Sequence, residues 1–217
     1  MLRGEHMRIV LFGPSGSGKG TLAGSLNKRY NLPHVSSGDI FRDNIEKRTE
    51  LGIRVKDLVD NGEWVPDELV ADVILDRLNQ PDSRNGYILD GVPRTLAQAK
   101  ILQKKSPINC VIEINVADDV VLKRLRNRRL CTNCKTDHNT IRGQFDKCRK
   151  CGSELSQRAD DMSDEKIMHR LVQYRNEQLP ILSFYKDLGI LCTINVTEDM
   201  FPSHVLEETE RCLRAFK

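Results

Sequence analysis

Short apolar runs alternate along the chain with longer stretches of helical periodicity. The runs are Arg8 to Phe12, Tyr87 to Leu89, Cys110 to Val116 and Ile190 to Val196, with His34 to Ser36 a weaker candidate after the turn signal Asn31-Leu32-Pro33. This alternation predicts a parallel sheet wrapped by helices. Helices are expected over Lys19 to Tyr30, Asp67 to Leu78, Thr95 to Lys105, Asp119 to Asn127, Ser163 to Leu188 and Ser203 to Ala215. Pro180 lacks an amide hydrogen and is expected to kink or interrupt the long helix.

Two segments break the alternation. From Ser37 to about Val65 the chain leaves the sheet for a helical excursion carrying Phe41, Ile45 and Leu58, with Gly62 as a turn. From about Asn127 to Asp161 it is polar, cysteine-bearing and poor in aliphatics, which predicts a separate small insertion. At 217 residues with 39% hydrophobic content, one core domain carrying insertions is the natural organisation. The 34 Lys and Arg nearly cancel the 31 Asp and Glu, so bulk charge points to neither a nucleic-acid nor a membrane partner. The apolar run Ile9 to Phe12 is too short for a signal-peptide core or a membrane span, and a soluble cytoplasmic protein is expected.

The first strand runs into Gly13-Pro14-Ser15-Gly16-Ser17-Gly18-Lys19-Gly20-Thr21, with a helix expected from Lys19. Glycines let the backbone turn so that successive N–H groups point inward, and the helix terminus adds positive potential where phosphates would lie. Lys19 supplies a mobile charge for the β- and γ-phosphates. The spacing, the lysine and the strand-to-helix context argue against an ordinary glycine-rich turn. Gly20 stands where most such loops carry Ser or Thr, so the hydroxyl offered to magnesium moves to Thr21.

Gly-Lys-Gly-Thr is the form found in nucleoside monophosphate kinases, and the chain resembles adenylate kinase over essentially its full length. Ser36-Ser37-Gly38-Asp39-Ile40-Phe41-Arg42 resembles the segment that opens that family's monophosphate-binding part, and Asp90-Gly91-Val92-Pro93-Arg94-Thr95 resembles its signature after the third strand. Transfer between two polyanions calls for planar, permanently charged donors, a role arginine fills best. The resemblance implies that Arg42 and Arg94 clamp the AMP phosphate, that Gly91 at the strand end lets the acceptor approach the backbone, and that Val92 and Pro93 lie on the AMP side. It also implies that Gln98 reads the adenine edge, that Ser37 faces base or ribose, and that Glu63, Trp64 and Val65 contact AMP. Asp90 matches a strand-end carboxylate acting on magnesium through water. Ser15, Val92 and Ser37 depart from the family's usual proline, phenylalanine and threonine.

Cys131-x2-Cys134 and Cys148-x2-Cys151, separated by thirteen residues, form two knuckles able to grip a tetrahedral ion. Zinc suits four thiolates, with iron or reduced free cysteines as alternatives, and four protein ligands make the site structural. Cys110, Cys192 and Cys212 read as small core residues. Between Lys123 and Lys150 there are ten Lys or Arg and two acids, so a basic zinc ribbon binding nucleic acid is the rival reading. The resemblance instead makes this segment a lid over ATP. Arg124 and Arg128 then lie near the nucleotide, Arg158 and Arg170 converge on the transferring phosphate, and His138 takes the place of a tyrosine against adenine.

Together these imply a three-layer P-loop α/β fold with a five-stranded parallel sheet, a monophosphate-binding insertion over 36–65 and a zinc-binding lid over 127–161. The expected reaction is MgATP + AMP = 2 ADP, catalysed by Lys19, Asp90, Arg94, Arg128, Arg158 and Arg170. ATP is expected on Gly16, Ser17, Gly18, Lys19, Gly20, Thr21, Arg124, Arg128 and His138, while Arg158 and Arg170 serve AMP as well. Mg2+ and structural Zn2+ are the cofactors, free nucleotides the partners, and a monomer the expected state. Another monophosphate kinase, with UMP or CMP as acceptor or GTP as donor, is the near alternative.

Overall fold

The computed structural model describes residues 7–61, 65–143, 145–158 and 161–216. At its centre β1 (Met7–Phe12) lies between β3 (Gly86–Asp90) and β4 (Cys110–Val116), with β2 (His34–Ser36) and β8 (Leu191–Val196) at the edges. All four pairings are parallel. In register, Leu11 faces Asp90 and Asp90 faces Ser36, so three strands deliver their carboxyl ends to one edge. That edge is where open α/β sheets bind ligands.

Both faces of the sheet are covered. Ile9, Leu11, Ile88, Ile112 and Ile114 point to one side, against α1 (Lys19–Tyr30), α6 (Asp118–Arg126) and α8 (Pro202–Ala215). Val10, Phe12, Tyr87, Leu89 and Val111 point to the other, against α4 (Asp67–Leu78) and α5 (Leu96–Lys105). The period-2 alternation of strand side chains splits the core in this way, and burial on both faces is why the strands read as continuous apolar runs.

The helix from α7 (Asp164–Asp187) contributes Ile167 and Leu171 to the first cluster and Ile181 and Tyr185 to the second. It runs through Pro180 without the expected interruption. The carbonyl that Pro180 leaves without an amide partner belongs to Asn176. Both residues are exposed, so water can satisfy that carbonyl, while fully buried Ile181 and Tyr185 hold the following turns. The sequence reading of Cys192 and Cys212 as separate core thiols is also corrected: a disulfide joins them, tying α8 to β8. Cys110 remains a buried thiol, pushed up to about 12 by desolvation.

Between β2 and α4 the chain forms α2 (Ser37–Glu46) and α3 (Glu50–Asn61). Ser36 caps α2 by accepting from the Asp39 amide at 3.3 Å. After α6, β5 (Arg128–Cys131), β6 (Asp137–Asn139) and β7 (Leu155–Ser156) make a separate antiparallel sheet in the order β6-β5-β7. Among the described residues no helix is long and apolar enough to cross a membrane.

Gly86 opens β3 with φ +119°, and a Cβ there would lie 2.1 Å from the Met7 carbonyl oxygen. Gly86→Ala is therefore expected to lower unfolding free energy in urea by about 2–3 kcal/mol. An unchanged midpoint would show that β1 and β3 can separate at no cost.

Candidate active site and cysteine cluster

The loop after β1 turns on a hydrogen bond from the Ser17 amide to the Pro14 carbonyl at 3.0 Å. Gly16, at φ +83°, passes so close to α6 that a Cβ would meet Leu125 at 2.8 Å. Lys19 arches back over the loop and donates to the carbonyls of Gly13 at 2.7 Å and Pro14 at 3.0 Å. Burial lowers its pKa. Asp90 opposes that shift, and Arg94, Arg128 and Arg170 add to it. Four sequence-predicted residues thus surround Lys19 closely enough to act on its charge.

Asp90 ends β3. Burial would raise its carboxyl pKa, but a 3.2 Å hydrogen bond with His34 Nε2 and the charges of Lys19 and Arg94 carry it below the ordinary value. His34, one strand away on β2, had no partner assignable from sequence, and only the strand pairing reveals one.

The acceptor side is organised around Gly91, whose φ of +76° turns the chain out of β3. Its carbonyl accepts from Ser37 Oγ at 2.7 Å and from Arg94 Nε at 2.8 Å, joining α2 to the turn before α5. Gln98 is 2% exposed, and both ends of its amide are engaged. Its Oε1 accepts from the Arg94 amide at 2.8 Å, and its Nε2 donates to Asp67 Oδ1 at 2.7 Å. The other Asp67 oxygen accepts from Thr95 Oγ1 at 2.8 Å. These two bonds fix the orientation of the Gln98 amide. Asp67 was missed by sequence reasoning, which saw only the first residue of α4.

Arg42 is half-exposed and paired with Asp39 one turn earlier on α2. It lies near enough to Arg94 to lower that guanidinium's pKa, although burial is the larger cause. Val65, Val92 and Pro93 are buried, and Val65 and Val92 belong to the second core cluster. Glu63 and Trp64 fall outside the described residues.

Asp161 anchors arginines of β5 and α7. It is fully buried and binds Arg128 at 2.6 Å and Arg170 at 3.2 Å. No sequence signal marked it beyond its place at the end of the polar insertion. Arg158 reaches both Asp137 oxygens at 2.9 Å, and Arg124 donates to the Ser17 carbonyl at 3.2 Å. His138, expected against adenine, has its Nε2 3.2 Å from Cys148 Sγ. Alternation along β6 accounts for this contact, since Asp137 bonds Arg158 and Asn139 bonds the Arg124 carbonyl on one face and their neighbour points to the other.

The sulfurs of Cys131, Cys134, Cys148 and Cys151 all lie within 4.8 Å of one another. Those of Cys131 and Cys151 are 3.4 Å apart, and those of Cys134 and Cys148 are 3.5 Å apart. Four thiolates about 2.3 Å from one tetrahedral ion stand about 3.8 Å apart, so the set fits zinc. Amides of Cys134 and Lys150 point at Cys131 and Cys148 Sγ, each at 3.4 Å, as they would to a thiolate. Ser153, through hydroxyl and backbone, draws the Cys151 thiol down to about 5, whereas desolvation pushes Cys131 up to about 11. A bound dication makes all four thiolates.

The family model described as adenylate kinase matches residues 11–190. An adenylate kinase of Caldicellulosiruptor bescii is 40% identical over 217 residues, covering 96% of this chain and 98% of its own. Adenylate kinases of Clostridium perfringens, 41% identical over 203 residues, and Acetivibrio thermocellus, 40% over 200, each cover 88% of this chain and 92% of their own. The family model's range spans the phosphate loop, the Asp90 turn and the cysteine-bearing segment, and the chain belongs to the adenylate kinase family.

Proposed function

We propose that the chain catalyses reversible phosphoryl transfer, ATP + AMP = 2 ADP, and so balances the adenine nucleotide pool. The observation that carries this reading is the gathering of Asp90, Arg94, Arg128 and Arg170 around Lys19, whose ammonium lies on the Gly13 and Pro14 carbonyls of the loop after β1. Such an excess of positive charge over acids suits two phosphate chains brought end to end.

In this reading the loop amides from Gly16 to Thr21 cradle the ATP phosphates, and Lys19 shifts from the Gly13 and Pro14 carbonyls onto them. Arg124, beside the Ser17 carbonyl, flanks the nucleotide. Arg42, Arg94, Arg158 and Arg170 hold the acceptor phosphate, Arg128 joins them at the transferring group, and Gln98 and Ser37 face the base and ribose. Glu63, Trp64, Val65, Gly91, Val92 and Pro93 complete the AMP side. Asp90, which His34 and Lys19 keep ionised, and Thr21 are the residues that would hold magnesium brought in with ATP, and the ion would supply neutralisation of charge on the phosphates. No covalent enzyme intermediate is formed, so positioning and charge supply the rate.

Several of these arginines rest on carboxylates here: Arg42 on Asp39, Arg158 on Asp137, Arg128 and Arg170 on Asp161. Incoming phosphates exchange for the exposed partners at small cost, because exposed ion pairs are weak. Segments 36–65 and 127–161 act as acceptor-binding unit and lid, closing to keep water from the phosphoryl group. Cys131, Cys134, Cys148 and Cys151 would hold a zinc ion, which would cross-link the lid and leave no open position for transfer chemistry. The protein works as a cytoplasmic monomer.

A coupled assay with MgATP and AMP, UMP, CMP or single-stranded DNA should give fast ADP formation with AMP alone. Preference for UMP or CMP would reassign the acceptor, and DNA stimulation would favour the zinc-ribbon reading. Arg94→Ala should cost about three orders of magnitude in kcat/KM. Asp161→Asn, which frees Arg128 and Arg170 from their anchor, should lower kcat about a hundredfold; an unchanged kcat would remove Asp161 from the site. Metal analysis should find one zinc per chain, lost on Cys148→Ser together with several degrees of melting temperature. A metal-free Cys148→Ser protein as stable as the parent would rule out a structural metal.

A further inference from the structure

We propose that His138 donates its Nε2 hydrogen to the Cys148 thiolate and thereby strengthens metal retention by the cysteine cluster. This rests on the reading that the four cysteines hold a structural ion.

The placement follows from β6. His138 is its middle residue, opposite Arg129 of β5. On either side of it, Asp137 binds Arg158 and the Asn139 amide donates to the Arg124 carbonyl at 2.8 Å. Alternation sends the His138 ring to the opposite face of the sheet, where the knuckles lie. The ring is held there on a second side: its plane meets Phe145 edge-on with centroids 5.4 Å apart, and the Arg149 guanidinium covers Phe145 at 4.3 Å. Rotation away from the sulfur would break this stack.

At 3.2 Å from Cys148 Sγ, the Nε2 atom is within sulfur hydrogen-bond range. Cys148 is 3% exposed, so water offers its sulfur little, and the Lys150 amide at 3.4 Å is its other N–H neighbour. Four thiolates on a dication leave two net negative charges in a small volume, and burying such charge is costly unless donors spread it. A neutral imidazole protonated at Nε2 is such a donor and adds no charge of its own. His138 is not a needed ligand, because the four sulfurs already complete a tetrahedral set. Hydrogen bonds of this kind to metal ligands are worth about 10–100-fold in affinity.

The test uses the full-length chain loaded with zinc and titrated against a competing chelator of known affinity. His138→Phe keeps a ring for Phe145 but has no donor, and His138→Gln keeps an N–H at similar reach without the ring. His138→Phe should bind zinc about 10–100-fold more weakly, with His138→Gln within about threefold of the parent. Equal affinity of His138→Phe and parent overturns the proposal, as does equal weakening of both variants, which would assign the ring to packing. Cobalt(II) substitution of the parent should show charge-transfer intensity for four thiolates, unchanged in His138→Phe. Intensity for three thiolates in the parent would make His138 a ligand and overturn the donor role. If the parent itself binds no metal, the metal reading fails instead, a result separable from every outcome above.

Discussion

Like charges crowded at one edge of a sheet are the constraint around which the molecule is arranged. Burial lowers the pKa of Lys19, and the charges of Arg94, Arg128 and Arg170 lower it further, while Asp90 opposes that shift and Asp161 pairs with Arg128 and Arg170. The parallel register brings Asp90 beside Ser36 and the end of β1, so the carboxylate, the phosphate loop and the start of α2 emerge together. The two core clusters exist on either side of that register, and their burial supplies the free energy that keeps the cations close.

Much of this was legible from residue order. Continuous apolar runs marked the strands because both faces of the sheet are covered, and glycine spacing marked the phosphate loop because only glycine permits φ values such as +83° at Gly16. The two cysteine knuckles were legible because paired ligands must be close in sequence. Pairings across large separations were not. His34 meets Asp90 at a separation of 56, Gln98 meets Asp67 at 31, and Cys192 bonds Cys212 across 20 residues that fold into a strand end and a helix. A counter-ion among 31 acids carries no local signature, which is why Asp161 and Asp67 emerged only from the fold.

The cysteine-side contact of His138 and the continuity of α7 through Pro180 were hidden for a different reason. Each was judged from what its residue type or position usually does, while the deciding fact was which side of an element it occupies. One residue's shift along β6 would exchange the faces of Asp137 and His138, and with them the cysteine-side contact and the arginine anchor. On α7, a proline on the buried face would have left a carbonyl with no solvent to satisfy it.

The Arg128–Asp161 ion pair joins the two ends of the cysteine-bearing segment across 33 residues. It works as a drawstring at the neck of that segment, fixing where the chain leaves the core and where it returns. The entropy of whatever lies between is then a local matter, since closing a longer or shorter loop changes the cost only logarithmically. A neck closed in this way makes the segment modular: its interior can be redesigned, lengthened or held by another cross-link while the arginines at its base stay registered with the phosphate loop.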